Sequence, residues 1–376
     1  MQRNVEKYCY EQLKELYGEQ PEQRIFDRLK RELEIIAKSG SAEGYVNAKK
    51  VVELCKEKGY KISITGETGG SFVNYLYGIS DINPLEPHYR CSKCKYTEFI
   101  DKNECKMGYD LKQRKCPICG YEMIGDGVDI PAECYYSFED IEANRDRIRL
   151  VVPASKCIRI KKELINDYDI EKITPHWSLD MCEVLDKATQ INISDMEYWN
   201  AVSHINWGGR CFLSDKISEL IRLFKPKKFN DLVRILALEE AGYTEYLKPA
   251  VIYGACGHNI ENMICTREDV FEYMLKFGAS AKEARWLMEK IRKGLGIYMM
   301  FYGEKGSELF EKYRIPVWFI AMASHIRYLP QRASMVSKAK MLLKLSWYGQ
   351  NYPMEFCLAC PVECQGDVCR IPFKWI

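Results

Sequence analysis

Two pairs of cysteines constrain the fold of this chain more than any other feature of its sequence. Both pairs have the form Cys-x2-Cys, and twenty-one residues separate them. Each pair can offer two thiolates to one tetrahedral ion, which is the ligand arrangement of a structural zinc ribbon. The alternative is a set of buried, reduced thiols without a metal. We predict a zinc ribbon over residues 88–124 with four ligands, Cys91, Cys94, Cys116 and Cys119.

The composition is typical of a globular protein. Of the 376 residues, 47% are hydrophobic and 29% are charged, so the chain can bury a core and form two or three subdomains. Seventeen cysteines without an amino-terminal export signal indicate thiols and metal ligands rather than disulfides. No run of eighteen apolar residues occurs, so we expect a cytoplasmic protein with no membrane partner.

A glycine-rich turn follows three segments in which apolar residues recur at helical spacing. The segments begin near Val5, Ile25 and Ala42, and the strand KISIT then leads into GETGGSF and the short helix FVNYLYG. Amides at a strand–turn–helix junction favour a phosphate, although many glycine-rich turns are only tight turns. The candidate nucleotide- or phosphate-binding residues are Gly66, Gly69, Gly70 and Ser71.

Three segments around the cysteines carry a resemblance to a known family. Its Gly-Ser-Arg-Gly-Ser-x-Gly-Ser-Ser-Phe-Val segment is matched by Gly66, Gly69, Ser71, Phe72 and Val73. Residues 83–89 match Asn-Pro-Leu-x-Pro-His-Tyr, and residues 126–131 match Asp-Gly-x-Asp-Ile-Pro. In this order, on both sides of a zinc module, the segments resemble the palm of PolC-type DNA polymerase III alpha subunits.

The similarity resumes in the second half of the chain. Four segments resemble the fingers domain of that family, at 225–235, 267–294, 315–318 and 326–330. The resemblance implies an α+β fold: a truncated, palm-like α/β core with a zinc-ribbon insertion and a mostly helical, fingers-like carboxy-terminal domain. The implied divisions are a helical segment at 1–60, the palm-like region at 61–190, the fingers-like domain at 191–350 and a Cys-rich tail at 351–376.

The resemblance also implies three carboxylates that hold two Mg²⁺ ions for nucleotidyl transfer. Their only counterparts are Asp140, Glu142 and Asp180, which we treat as vestigial catalytic candidates. Glu142 stands where the family has Asp, and its additional methylene displaces the carboxylate from two-metal geometry. The short interval between Glu142 and Asp180 implies that much of the palm and the thumb is missing.

Charged residues that the family places near the nucleotide are also changed. Thr65 stands where the glycine turn of the family has Arg, and Glu67 adds a negative charge beside it. Glu239 and Glu240 replace a Ser-His pair, and Gln331 replaces a Lys. Because positioning and charge neutralisation supply most of the catalysis in phosphoryl transfer, these changes predict that nucleotidyl transfer is lost or crippled.

Basic residues in the fingers-like domain are candidates for DNA contacts, because binding to a phosphate backbone requires a basic surface. Lysines and arginines on solvated helix faces are the ordinary alternative. The candidates are Lys227, Lys228, Arg267, Lys290, Arg292 and Lys293.

The tail contains four closely spaced cysteines. They could bind a second zinc ion or an iron–sulfur cluster, although the spacing fits no common module and free thiols are the alternative. The candidate ligands are Cys357, Cys360, Cys364 and Cys369.

Three functions remain open on this evidence from residues and resemblance. The first is a catalytically degenerate PolC-like protein that binds DNA or a nucleotide through the fingers-like domain and carries structural Zn²⁺. The second is an active DNA-directed nucleotidyltransferase that uses Asp140, Glu142 and Asp180 with Mg²⁺. The third is a zinc-stabilised scaffold that binds a protein partner.

Overall fold

The structure, a computed structural model, describes residues 1–60, 62–101, 103–138, 141, 148–152, 215–241, 259–296, 304–351, 363–364 and 369–370. The chain divides into two compact units, one comprising Met1–Phe212 with Lys340–Ile376 and the other Leu213–Ala339. Helices and small antiparallel sheets occur together, as the predicted α+β class requires. The four predicted domain divisions stay predictions.

The first unit begins with three helices, in the segments where the apolar spacing predicts them. They are α1 Gln2–Tyr17, α2 Gln23–Ser39 and α3 Ala42–Glu57. Their apolar faces are buried, and Ile25 of α2 is fully enclosed. A buried aliphatic side chain of this size contributes about 1.5–3 kcal/mol, so packing holds these helices in place more than intrinsic helix propensity does.

The strand, turn and helix predicted after α3 are confirmed. The strand β1 is short, Ser63–Ile64, and is followed by a 3-10 turn, Thr68–Gly70, and by α4, Phe72–Leu76. A second short strand, β5 (Leu150–Val151), pairs with β1 in antiparallel register. The glycine turn therefore follows a strand that is itself held by pairing with β5.

A three-stranded antiparallel sheet carries the cysteine pairs. Its strands are β2 His88–Cys91, β3 Thr97–Phe99 and β4 Met123–Asp126, with β2 in the centre. Cys91 lies opposite Met123 in the register, so the end of β2 and the start of β4 meet at one end of the sheet. A single turn of helix, α5 (Ala132–Tyr135), follows.

The second unit is helical in its described residues. Its helices are α6 Asp215–Phe224, α7 Phe229–Glu240, α8 Arg267–Lys276, α9 Ala281–Arg292, α10 Glu304–Lys312, α11 Val317–His325 and the first part of α12 Arg332–Asn351. A 3-10 turn, Ile260–Asn262, precedes α8.

The described part of the tail contains two antiparallel strands, β6 Glu363–Cys364 and β7 Cys369–Arg370. Among the helices in the described ranges, none has the length and apolar character needed to span a bilayer.

Candidate zinc centre and glycine turn

The structure brings the four predicted zinc ligands together. Their sulfur atoms all lie within 4.8 Å of one another. Cys91 Sγ is 3.4 Å from Cys119 Sγ, and Cys94 Sγ is 3.5 Å from Cys116 Sγ. A tetrahedral ion with metal–sulfur bonds of about 2.3 Å needs sulfur atoms about 3.8 Å apart, so the cluster fits a Zn²⁺ ion at its centre.

The two Cys-x2-Cys loops have the same backbone geometry. The amide of Lys95 donates to Cys91 O at 3.0 Å, and the amide of Gly120 donates to Cys116 O at 2.9 Å. Lys95 and Gly120 both have a positive φ, 65° and 69°. Each loop therefore turns through a left-handed residue directly after its second cysteine, which glycine adopts without strain and lysine adopts at a small cost.

Amide hydrogens in these loops point at sulfur. Cys91 Sγ accepts the amide of Cys94 at 3.5 Å, and Cys116 Sγ accepts the amide of Ile118 at 3.4 Å. Burial opposes a thiolate at Cys91, but the amides of Cys94 and Lys93 outweigh it and lower the pKa of Cys91 to about 6. At Cys94 the amide of Tyr96 favours a thiolate, but burial and the hydrogen bonds with the neighbouring thiols outweigh it and raise the pKa to about 12. The amide contacts to Cys91 and Cys116 thus favour negative charge on these two sulfur atoms, as a zinc ligand requires.

A buried polar cluster joins the zinc sheet to α1. Asp126 at the end of β4 accepts three side-chain hydrogen bonds through Oδ2, from Asn83 (3.0 Å), Arg90 (3.0 Å) and Tyr75 (3.1 Å). Its Oδ1 accepts the amide of Gly127 at 2.8 Å. Although burial favours the neutral acid, the Arg90 guanidinium holds the pKa of Asp126 below its ordinary value.

His88 extends this cluster towards α1. Its Nδ1 lies 2.7 Å from the carbonyl oxygen of Glu86, which can only accept, so Nδ1 carries the proton. Its Nε2 accordingly accepts from the Tyr17 hydroxyl at 3.1 Å. Burial lowers the pKa of His88 and keeps this neutral form. Several of the residues that carry the family resemblance, Asn83, His88, Asp126 and Gly127, therefore form a structural cluster rather than a reactive site.

A buried carboxylate of the protein itself, from α2, lies at the first turn of α4. Glu32 of α2 is fully buried, and its Oε2 accepts the amide of Val73 at 3.0 Å and the Ser71 hydroxyl at 2.9 Å. The Tyr136 hydroxyl donates to the same oxygen at 3.1 Å, and Arg28 pairs with Oε1. A carboxylate of the protein thus takes the place that a phosphate would occupy at this helix end.

The predicted nucleotide-binding residues differ in their surroundings. Gly69, Gly70 and Ser71 are buried, and Ser71 is engaged with Glu32. Gly66 is only partly buried and lies at the tip of the turn. Nucleotide binding at these four positions stays a prediction, with Gly66 as the accessible member.

The catalytic candidates Asp140, Glu142 and Asp180 lie outside the described residues. Two of the four tail cysteines, Cys357 and Cys360, also lie outside them. The other two, Cys364 and Cys369, are register partners in the β6–β7 pair. A second metal site in the tail stays a prediction.

The predicted DNA-binding residues are spread over several elements of the second unit. Lys227 and Lys228 are exposed before α7, where Lys228 Nζ pairs with Glu261 at 3.1 Å. Lys290 is half-buried and Lys293 is exposed at the end of α9, whereas Arg292 pairs with Glu289 at 2.6 Å.

Arg267, the remaining DNA-binding candidate, has an interior position. It is 2% exposed, and its guanidinium lies against the side-chain amide of Gln331. Buried charges surround it, since Asp269 pairs with both Arg234 (2.9 Å) and Arg332 (3.2 Å). In this conformation Arg267 contributes to the interior of the unit rather than to its surface.

Two side-chain arrangements in the structure were not predicted from the sequence. Two lysine ammonium groups lie near the ring of Trp286 of α9, Lys290 Nζ at 5.6 Å and Lys305 Nζ at 4.7 Å from its centroid. Arg149 lies against Gly66, across the β1–β5 pair. A helical projection of α9 could have indicated the first, because Trp286 and Lys290 are four residues apart. The second joins residues that are distant in sequence and had no local signal.

Comparison with known proteins identifies relatives of the chain. Residues 3–111 match the family model described as bacterial DNA polymerase III alpha NTPase domain. DNA polymerase III PolC-type of Thermotoga petrophila is 24% identical over 467 residues, which covers 92% of this chain and 34% of that protein. The enzyme of the same name from Pediococcus pentosaceus is 42% identical over 134 residues, covering 34% of this chain and 9% of that protein. The Staphylococcus epidermidis protein is 39% identical over 145 residues, covering 37% and 10%.

The chain spans at most about a third of the length of these relatives. The alignment with the Thermotoga protein has 467 positions, more than the 376 residues of this chain, so the relative has residues there without a counterpart here. The matched segments nevertheless extend over most of the chain. The chain is a homologue of PolC-type DNA polymerase III.

Proposed function

We propose that this chain is a catalytically degenerate PolC-like protein that binds DNA through its second unit. The observation that carries the proposal is a basic surface with an aromatic centre, which we call the Trp286 surface. It consists of Lys282, Trp286, Lys290 and Lys293 of the α9 region with Lys305 of α10.

The spacing of these residues places them on one side of α9. Lys282, Trp286 and Lys290 follow each other at intervals of four, and Lys293 follows after three. Lys282, Lys293 and Lys305 are exposed, and Trp286 is half-buried. Lysines attract backbone phosphates, and an indole ring stacks on bases of any sequence. The surface therefore has the chemistry of a sequence-tolerant DNA contact.

Three carboxylates support the loss of nucleotidyl transfer. Glu32 fills the anion position at α4. Glu239 and Glu240, which replace the Ser-His pair of the family, lie 3.5 Å and 2.9 Å from the ammonium group of Lys338. These carboxylates are paired with cations of the protein, Arg28 and Lys338, so these positions hold an internal ion pair instead of a group that would stabilise the phosphates of a nucleotide.

Retention of a labelled primer–template duplex on the full chain tests the proposal. We expect the double variant Lys290→Glu/Lys293→Glu to weaken retention and to reduce the slope of log affinity against log salt by about 1 per lysine. The matched control is Lys7→Glu/Lys14→Glu, which makes the same charge change on exposed residues of α1. Equal loss in both variants would indicate a net-charge effect and would contradict the Trp286 surface.

Two assays address the other functions. Primer extension in Mg²⁺ or Mn²⁺ that disappears in Asp140→Ala would establish an active nucleotidyltransferase and overturn the degenerate assignment. A chain that retains no DNA even at low ionic strength would leave the zinc-stabilised scaffold as the better account.

A further inference from the structure

Three lysines of the Trp286 surface carry charge that the described part of the second unit does not neutralise. They are Lys290, Lys293 and Lys305, and none of them forms an ion pair with a described carboxylate. Lys290 is half-buried, whereas Lys293 and Lys305 are exposed. Because phosphates are attracted to lysines whose charge is not already balanced, this surface favours a polyanionic ligand.

The two glutamates of α9 do not balance this charge. Glu289 pairs with Arg292 at 2.6 Å, and Glu283 pairs with Lys312 at 2.8 Å. Glu283 also accepts a hydrogen bond from the Tyr313 hydroxyl at 2.7 Å. Since both carboxylates are engaged by other groups of the unit, they compete little with a phosphate for the lysines of the Trp286 surface.

The indole ring of Trp286 limits the form of DNA that can use this surface. The ring is half-buried, and the other side of α9 is packed into the unit through four apolar residues, Ala284, Leu287, Met288 and Ile291. A ring held in this way does not reach between the base pairs of a duplex, as an inserted wedge residue does. It can stack on a base only where the face of that base is already uncovered.

We propose that the Trp286 surface binds an unpaired segment of a DNA strand, with the indole stacked on a base and the lysines on the adjacent phosphates. In a duplex each base face is covered by the next pair, and uncovering it costs free energy that an unpaired strand does not require. The ammonium groups of Lys290 and Lys305, which lie near the ring, are on flexible stems and can move to phosphates when a base arrives. The inference rests on the proposed function, because it specifies the form of DNA that the same surface takes.

Fluorescence anisotropy on the full chain at low ionic strength tests the inference with three labelled probes. They are a short oligothymidylate, an abasic strand of the same length and a blunt duplex. The abasic strand has the phosphates of oligothymidylate but no base that could stack. We expect wild type to bind oligothymidylate about 5-fold or more tightly than the abasic strand, as one base–aromatic stack predicts.

Variants of Trp286 isolate the stacking contact. Trp286→Leu keeps an apolar side chain without a flat ring, so it should bind oligothymidylate about 5- to 100-fold more weakly and the other two probes within about twofold of wild type. Trp286→Phe retains a smaller ring and should recover part of the loss. The control Tyr121→Leu removes a 52% exposed ring of the first unit and should leave all three affinities unchanged.

A lysine variant changes the phosphate contact instead. Lys305→Gln should weaken binding of oligothymidylate and of the abasic strand by the same factor, and should reduce the slope of log affinity against log salt by about 0.7. Lys276→Gln, the same change on an exposed lysine of α8, is the control. Circular dichroism of each variant checks that the helices are intact.

The outcomes separate this inference from the proposed function. A preference for oligothymidylate over the abasic strand that disappears in Trp286→Leu supports the inference. Equal affinity of wild type for these two strands overturns it, as does a loss in Trp286→Leu that is as large for the duplex as for oligothymidylate, and both results leave DNA binding by the unit intact. Wild type that binds none of the three probes overturns the proposed function itself.

Discussion

The amide of Val73 donates to Oε2 of Glu32 at 3.0 Å, so a side chain from α2 supplies the anion at the first turn of α4. The same carboxylate oxygen accepts the Ser71 and Tyr136 hydroxyls. A helix end that could attract a phosphate is thus used to attach one element of the unit to another. This contact separates the part of the turn that is committed to the fold from the part near Gly66 that stays accessible.

Removing the Glu32 carboxylate should destabilise the first unit severely. Glu32→Ala leaves the buried Val73 amide without an acceptor, removes the acceptor that the Ser71 and Tyr136 hydroxyls share, and leaves Arg28 without its counter-ion. We therefore expect a loss of about 3–5 kcal/mol in the free energy of unfolding. Urea unfolding followed by circular dichroism measures it. Glu34→Ala, an exposed change on the same helix, should stay within about 0.5 kcal/mol of wild type. Similar midpoints for the two variants would contradict the role of Glu32.

His88 should make the stability of the first unit depend on pH. Because burial lowers its pKa in the folded protein, the unfolded chain binds the proton more readily. The stabilisation is complete above the ordinary pKa of about 6.5 and is lost as the pH falls below it. We expect the midpoint of thermal unfolding to decrease between about pH 7 and pH 5. His88→Gln should be less stable at pH 7 and should have a flatter profile, whereas an unchanged profile would exclude His88 as the titrating group.

The cysteine cluster should bind one zinc ion. We expect about one equivalent per chain by metal analysis, and Cys116→Ala should lose it, because three thiolates leave the tetrahedral site incomplete. Cys105→Ala is the control, since Cys105 lies in the same ribbon outside the cluster. Zinc release should increase as the pH falls, because protons compete for the thiolates. Zinc retained fully by Cys116→Ala would contradict the site, and a second equivalent would indicate that the tail binds metal.

Lys338 should stabilise the second unit by neutralising Glu239 and Glu240. Its side chain is 2% exposed, so Lys338→Ala leaves two adjacent carboxylates without their shared cation, and we expect a cost of about 3 kcal/mol. Replacing both glutamates by glutamine in the Lys338→Ala background should recover much of this loss. A double-mutant cycle on urea unfolding measures the coupling, and additive effects would indicate that the ion pair contributes nothing.

The sequence predicts the parts of the fold that depend on short-range patterns. Apolar spacing predicts α1, α2 and α3, because a helix buries one face at a fixed period. The two Cys-x2-Cys pairs predict the sulfur cluster, because each pair determines its own loop geometry and only the meeting of the loops requires the tertiary fold.

Contacts between residues that are distant in the sequence could not be predicted from its patterns. Glu32 and Val73, or Gly66 and Arg149, come together only when separate elements pack, and no periodicity links them. The charge of Arg267 indicated a surface residue, yet the chain encloses it beside Gln331 within a set of paired charges. Lysine and arginine are buried when such partners exist, and the partners of Arg267 are not adjacent in sequence.

The matching geometry of the two cysteine loops bears on how this module varies among proteins. Each loop is closed by a backbone hydrogen bond to the carbonyl oxygen of its first cysteine. The amide that donates it belongs to the left-handed residue directly after the second cysteine, Lys95 or Gly120. Among the described residues, the sulfur cluster takes none of its members from the connection between the loops, so the length of this connection can change by insertion or deletion while the sulfur positions persist. An insertion or deletion of one residue inside either loop would instead move a sulfur atom away from the other three. Homologous modules are therefore better recognised by the two short spacings than by the distance between them.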